Sequence, residues 1–197
     1  KLFSNSRLIG RRFRLAHVFF GREIIEVATF RASKEEADNA SESDREHSEG
    51  GRILRDNVYG QLDDDVWRRD FTINALYYDI SDFSIIDYTS GMDDVKNRVL
   101  RLIGDPEVRY REDPVRMLRV VRFAVKLGFQ IEANTEKPVF ELASLLGDIS
   151  SSRLFDESVK LFLSGQALQT FEMLRHYGLF AQLYPMTEIE LSHEEQG

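Results

Sequence analysis

Apolar and polar residues alternate along Phe13-Arg14-Leu15-Ala16-His17-Val18-Phe19-Phe20 and again along Glu23-Ile24-Ile25-Glu26-Val27-Ala28-Thr29-Phe30. Gly21-Arg22 between the two runs suits a tight turn, so the pattern predicts a β-hairpin. Period two places Ile24, Glu26 and Ala28 on one face and Ile25, Val27 and Thr29 on the other. From Ser33 to Glu49 the chain is polar and acidic and ends at Gly50-Gly51, a composition that predicts a mobile loop over about 32–58. Order is expected to resume by Asp64, with Arg68–Tyr78 leading into a strand around Ser84–Tyr88. A turn at Ser90-Gly91, a short helix over Met92–Asn97 and an extended Val99–Ile103 follow. After Gly104-Asp105-Pro106 the spacing becomes helical: Val115, Leu118, Val121 and Val125 recur at three and four, and Gly128 ends the run. Further helices are predicted at about 136–146, 152–164 and 166–176, making the remainder all-helical. The change of period sets an expected boundary near 106–111. It separates an α+β part (1–106), rich in antiparallel sheet, from a helical part (107–185), before an acidic, frayed tail (186–197).

Composition narrows the function classes. The chain has 197 residues, 42% apolar and 30% charged, with a formal charge of −8. These are the proportions of an ordinary globular chain. No apolar run approaches the ~20 residues of a membrane helix and the start does not read as a signal sequence, so a cytoplasmic protein is expected. With no cysteine and only His17, His47, His176 and His193, disulfides and thiolate or imidazole metal sites are excluded or disfavoured, and any metal would fall to carboxylates. Net acidity argues against a nucleic-acid partner until the charges are located. Residues 1–31 hold seven cations, including Arg11, Arg12 and Arg14, against two acids, whereas 33–49 hold seven acids against two cations. The arginines cluster at 1–31 and 98–126.

Three groups of residues could carry chemistry. On the helix that follows Glu112-Asp113-Pro114, Arg116, Arg119 and Arg122 recur every three residues and form a slowly winding basic ridge. Asp113 and Arg116, three apart, would lie side by side and could offer an acceptor and a forked donor to a nucleobase edge. Solvated ion pairs explain the same spacing. Arg68-Arg69-Asp70, with Asn74 close behind, supplies two guanidinium groups for phosphates and an acid for a magnesium ion or a ribose hydroxyl, or else a surface ion cluster. Asp63-Asp64-Asp65 cannot converge on one face and is expected to be mainly solvated. Glu26 alternates with Ile24 and Ala28, so it is either paired or metal-bound on a half-buried face, or turned to water on an edge strand. Tyr59, Tyr77, Tyr78, Tyr88, Tyr110 and Phe123 could stack on bases but are expected mostly in the core. His17 and His176 are expected to be structural.

Three strings taken together, LIGRRFRLAHV at 8–18, RRDFTINAL at 68–76 and REDPVRMLRVVRFAVKLGF at 111–129, resemble the class II nucleotidyltransferases, which include bacterial poly(A) polymerase and the CCA-adding tRNA enzyme. GRRFRLAHV, LRDNVYG at 54–60 and EDPVRMLRVVRFA are more similar to the poly(A) polymerase branch. The resemblance implies a nucleotidyltransferase head over 1–106 and a helical neck and start of the body over 107–185. It implies template-independent addition of AMP from ATP to RNA 3′ ends, with Mg2+ as cofactor. The alternatives are CCA addition to tRNA or a non-catalytic RNA- or nucleotide-binding module. Carried over by position, Asp70 is counted with the catalytic acids, and Arg68, Arg69 and Asn74 hold ribose and phosphates. Glu112, Asp113 and Arg116 read the base, with Arg119 and Arg122 continuing the ridge. Glu26 stands where a third metal-binding carboxylate can lie, and Arg11, Arg12 and Arg14 form the basic patch for RNA. The family's phosphate-binding Gly-Gly-x-x-Arg-Asp segment and its metal-binding Asp-x-Asp pair precede these strings and do not occur ahead of them here. The expectation is an internal fragment of a longer enzyme, catalytically incomplete by itself, whose head domain lacks its first strand and helix.

Overall fold

The structure is a computed structural model that describes residues 3–9, 15–30 and 60–194. The expected loop 32–58 and the basic residues Arg11, Arg12 and Arg14 lie outside the described residues. The chain forms two compact units, Lys1–Arg69 and Asp70–Gly197.

In the first unit, β1 (Ser6–Ile9), β2 (Leu15–Phe20) and β3 (Glu23–Val27) form an antiparallel sheet in that order. The expected hairpin is β2–β3, turned at Gly21, whose φ of +60° suits a residue without a Cβ. In its register Val18 faces Ile25 and His17 faces both Arg7 and Glu26. Among the described residues β3 is the sheet edge and is exposed along its length, so Glu26 takes the edge-strand alternative rather than a half-buried face. Helix α1 (Leu62–Arg68) follows, its start fixed by Gln61, whose N–H donates to Asp64 Oδ2 at 2.7 Å.

The second unit opens with a 3₁₀ turn at Thr72–Asn74 and the antiparallel hairpin β4 (Leu76–Asp79) and β5 (Ser84–Asp87). Helix α2 (Gly91–Asn97) is launched by Asp87, whose carboxylate accepts the N–H groups of Thr89, Gly91 and Met92. Burial alone would push the Asp87 carboxyl up, but these donors outweigh it and hold it below the usual range. Gly91 has no substitute here, because a Cβ on it would lie 2.3 Å from the Thr72 carbonyl oxygen.

β6 (Val99–Leu100) leads to α3 (Pro106–Glu112), capped by Asp105, which accepts from Val108 N at 3.0 Å. Helix α4 (Val115–Leu127) buries Met117, Leu118, Val120, Val121 and Ala124, and ends at Gly128 with φ +63°. The rest is β7 (Gln130–Ile131), α5 (Ala133–Leu142), a 3₁₀ turn at Ala143–Asp148, α6 (Ser151–Phe162), α7 (Ala167–His176), α8 (Leu179–Leu183) and α9 (Pro185–Glu194).

Two expectations change. The part after residue 106 is not wholly helical, because β7 pairs in parallel with β6. Within the second unit Phe71, Leu100 and Leu102 pack into one core with Leu118, Leu161, Leu174 and Leu179. Residues 185–194 do not fray: Leu191 packs on that core and Glu188 accepts from Arg175 Nη2 at 2.9 Å. The first half thus carries small antiparallel sheets with helices and the second is almost entirely helical, an α+β architecture.

Candidate functional site

Asp70 is held from several elements of the second unit. A backbone bridge pairs Phe71 with Leu102, and Ile103 N donates to the Asp70 carbonyl at 2.8 Å, which fixes the main chain. The carboxylate is then shared. Oδ1 accepts from Phe71 N at 3.0 Å and Asn74 Nδ2 at 3.1 Å, while Oδ2 accepts from Arg119 Nε at 2.6 Å and pairs with its Nη2. The expected residues Asp70, Asn74 and Arg119 are therefore brought together across 49 positions of sequence. Phe123, edge-on to the buried Phe71, lies under the guanidinium groups of Arg119 and Arg122, at 5.5 and 4.5 Å from its ring centre. Phe123 is thus a core ring with a cationic cover, as its helical position suggests.

More cations surround this acid. Burial, then the neighbouring Arg119, lowers the Arg122 pKa, against the attraction of Glu157 and Asp70. Burial, then Arg116, does the same to Arg109, against Glu112 and Asp70. Arg116 Nη1 donates to the Arg109 carbonyl at 2.7 Å and to Glu112 Oε2 at 3.2 Å, and Arg109 Nη1 reaches that same carboxylate oxygen at 3.1 Å. Arg109, Arg116, Arg119 and Arg122 thus stand among three carboxylates, Asp70, Glu112 and Glu157, a cation excess that favours a polyanion.

The expected side-by-side pair of Asp113 and Arg116 does not form. Asp113 lies between α3 and α4 with φ −150° and ψ 89°, so helical spacing does not apply to it. Its Oδ2 accepts from Arg153 Nη2 of α6 at 2.8 Å and its Oδ1 from Val115 N at 3.3 Å. Glu112 is the acid that meets Arg116. The contacts of Arg109 and Arg153 carried no signal in the sequence: Arg109 falls before the break at Pro114, and Arg153 arrives from a separate helix.

In the first unit Arg69 of the RRD string meets a different acid. Arg69 donates through Nε and Nη2 to Asp65 Oδ2 at 3.0 and 2.7 Å. Asp65 is therefore buried and paired, correcting the expectation that all three aspartates are mainly solvated; in a helix the third of them turns inward, one turn before Arg69. Arg68, Arg69 and Asp65 line a cavity of about 420 Å³ together with Ala28, Thr29 and Phe30. Glu26 stands 3.1 Å from His17 Nε2, its side chain 65% exposed.

The described residues do not assemble a magnesium site. Among the described residues no group of three or more His, Asp or Glu side chains converges to hold a metal, and both Asp70 oxygens are taken by N–H donors. Among them also, no helix is long and apolar enough to cross a membrane.

Residues 1–101 match the family described as "Poly A polymerase head domain", and 128–191 match "Probable RNA and SrmB- binding site of polymerase A". Poly(A) polymerase I of Salmonella typhi is 56% identical over 188 residues, 94% of this chain and 40% of that protein. The CCA-adding enzyme of Lactobacillus helveticus is 35% identical over 173 residues, 88% of this chain and 40% of that one. Among solved structures, the Bacillus stearothermophilus CCA-adding enzyme in complex with CTP matches with a TM-score of 0.72 at 30% identity, covering 92% of this chain and 40% of that one. A tRNA nucleotidyltransferase complexed with a primer tRNA and an incoming ATP analog gives 0.72 at 29% identity, covering 91% and 47%. The chain spans about two fifths of the length of these curated relatives. Head-domain match, relatives and fold agree: the chain belongs to the poly(A) polymerase head-domain family, whose wider kin include the CCA-adding enzymes.

Proposed function

We propose that the full-length protein transfers AMP from ATP to the 3′ end of RNA, releasing pyrophosphate, without a nucleic-acid template. The observation that carries this reading is Asp70 held by Arg119 and Asn74 within a group of four guanidinium groups. Such a group offers a triphosphate several charge-assisted bonds and loses little by giving up internal ones. In this reading Asp70 acts by holding Arg119 and Asn74 in place, Arg119 and Arg122 take phosphate oxygens, and Arg68 and Arg69 serve the cavity of the first unit. Arg116, backed by Glu112, reads the base; Asp113, tied to Arg153, shapes the site from behind. Glu26 remains the proposed second catalytic acid, and Arg11, Arg12 and Arg14 the proposed RNA contacts. Mg2+, which neutralises developing charge in phosphoryl transfer, is the implied cofactor, and this chain's described residues supply no cage for it.

CCA addition to tRNA is the second reading, favoured by the solved relatives that hold CTP or a primer tRNA with an ATP analog. The higher identity to poly(A) polymerase I, 56% against 35%, favours the first. Nucleotide addition by the full-length protein, measured on tRNA lacking CCA and on an unrelated RNA, separates them. AMP runs on both substrates are expected; CMP incorporation confined to the tRNA overturns the proposal.

A further inference from the structure

The three adjacent aspartates of α1 divide their work. Asp63 Oδ1 accepts from Asp64 N at 3.1 Å and Asp64 Oδ2 from Gln61 N at 2.7 Å, so the first two serve the start of the helix. Asp65 turns inward instead: it is buried, and its Oδ2 accepts from both Nε and Nη2 of Arg69, at the end of the helix. A buried carboxylate is costly without a cation, and two N–H donors on one oxygen fix the plane of the guanidinium as well as its distance. The Arg69 side chain nevertheless stays 45% exposed, and with Arg68 it lines the cavity of about 420 Å³. Ala28, Thr29 and Phe30 line the same cavity, and Gly60 N ties that segment to the approach to α1 by donating to the Phe30 carbonyl at 3.1 Å. A cavity of this size accommodates a phosphate chain, for which guanidinium groups are the matching donors.

We infer that Asp65 is a positioning residue: by holding Arg69 at the cavity wall, it sets the direction from which that guanidinium meets phosphate oxygens. The inference rests on the nucleotide-binding reading given above. Charge and orientation pull in opposite directions here. Asp65 partly neutralises Arg69, so on charge alone its removal tightens the binding of a polyanion. Without that carboxylate, however, the long Arg69 side chain regains rotamer freedom, and a phosphate contact has to order it again.

The test is equilibrium binding of ATP to the full-length protein, with the thermal unfolding midpoint measured alongside. Asp65→Asn, which keeps the shape and removes the charge, is expected to weaken ATP binding about tenfold, as loss of one charge-assisted contact does. On an Arg69→Gln background the same change is expected to add no further loss, because no guanidinium is left to orient; a purely structural role would not produce that coupling. Unchanged or tighter ATP binding in Asp65→Asn, or an equal loss with and without Arg69, overturns the inference. If Asp65→Asn does not fold, Asp65→Glu, which keeps the charge and displaces it by one methylene, carries the test: a smaller loss is expected, and unchanged binding overturns the inference. Wild-type protein that binds no ATP overturns the nucleotide-binding reading and this inference with it, whereas a variant indistinguishable from a binding wild type overturns this inference alone.

Discussion

Asp70 and Glu26 are both acids on extended segments beside apolar residues, yet their surroundings differ completely. Asp70 has an 11% exposed side chain, a backbone fixed by the Leu102 bridge and donors on both oxygens. Glu26, 65% exposed on a sheet edge, has one histidine at ion-pair distance. A carboxylate gains a defined orientation when several elements converge on it, and the helix α4 supplies that convergence for Asp70. The second unit therefore holds an ordered charge site, whereas the edge strand β3 of the first unit is an exposed one on which Glu26 is lightly held.

The largest expected effect that sharpens this contrast is at Phe71, fully buried next to Asp70. Phe71→Ala should cost about 3–5 kcal/mol of stability in chemical denaturation, by leaving a cavity under Phe123 and Leu102. A smaller but still large effect is expected at Asp70. Asp70→Asn should cost about 2–3 kcal/mol, because Arg119 loses its charged partner among other cations, and ATP binding should weaken with it. Next comes Asp87, whose carboxyl is held below its ordinary value. Its contribution is complete above the unfolded value of about 3.9 and is lost as pH falls through the lower folded value, so acid unfolding should be shallower in Asp87→Asn. The smallest is Glu26→Gln, expected to change stability by less than about 0.5 kcal/mol, as for an exposed pair. A loss at Glu26 as large as that at Asp70 would break the comparison.

Much of this was legible in the chain. Period two gave the β2–β3 hairpin and period 3.6 with Gly128 gave α4, because both faces are set by local alternation. Asn74 was legible as a companion of Asp70 from its position four residues on, but Arg119 only through the family strings, since 49 positions separate it from Asp70 and no local rule spans them. The Asp113–Arg116 pairing failed because helical spacing was applied across Pro114, where the chain leaves one helix and enters the next. Arg153 was invisible for a related reason: its contact with Asp113 spans 40 positions, which local spacing does not encode. Asp65 was misjudged because three adjacent acids were treated alike, when one helical turn already gave it Arg69.

The most direct test of the central claim, that the arginine group around Asp70 binds and selects the nucleotide, is competition between ATP and CTP for the full-length protein carrying Arg116→Ala. Loss of the paired hydrogen bonds should reduce discrimination between the two nucleotides by about tenfold, for roughly 1–3 kcal/mol of base-specific contact. An unchanged preference, with ATP bound as tightly as by the wild type, would contradict the account.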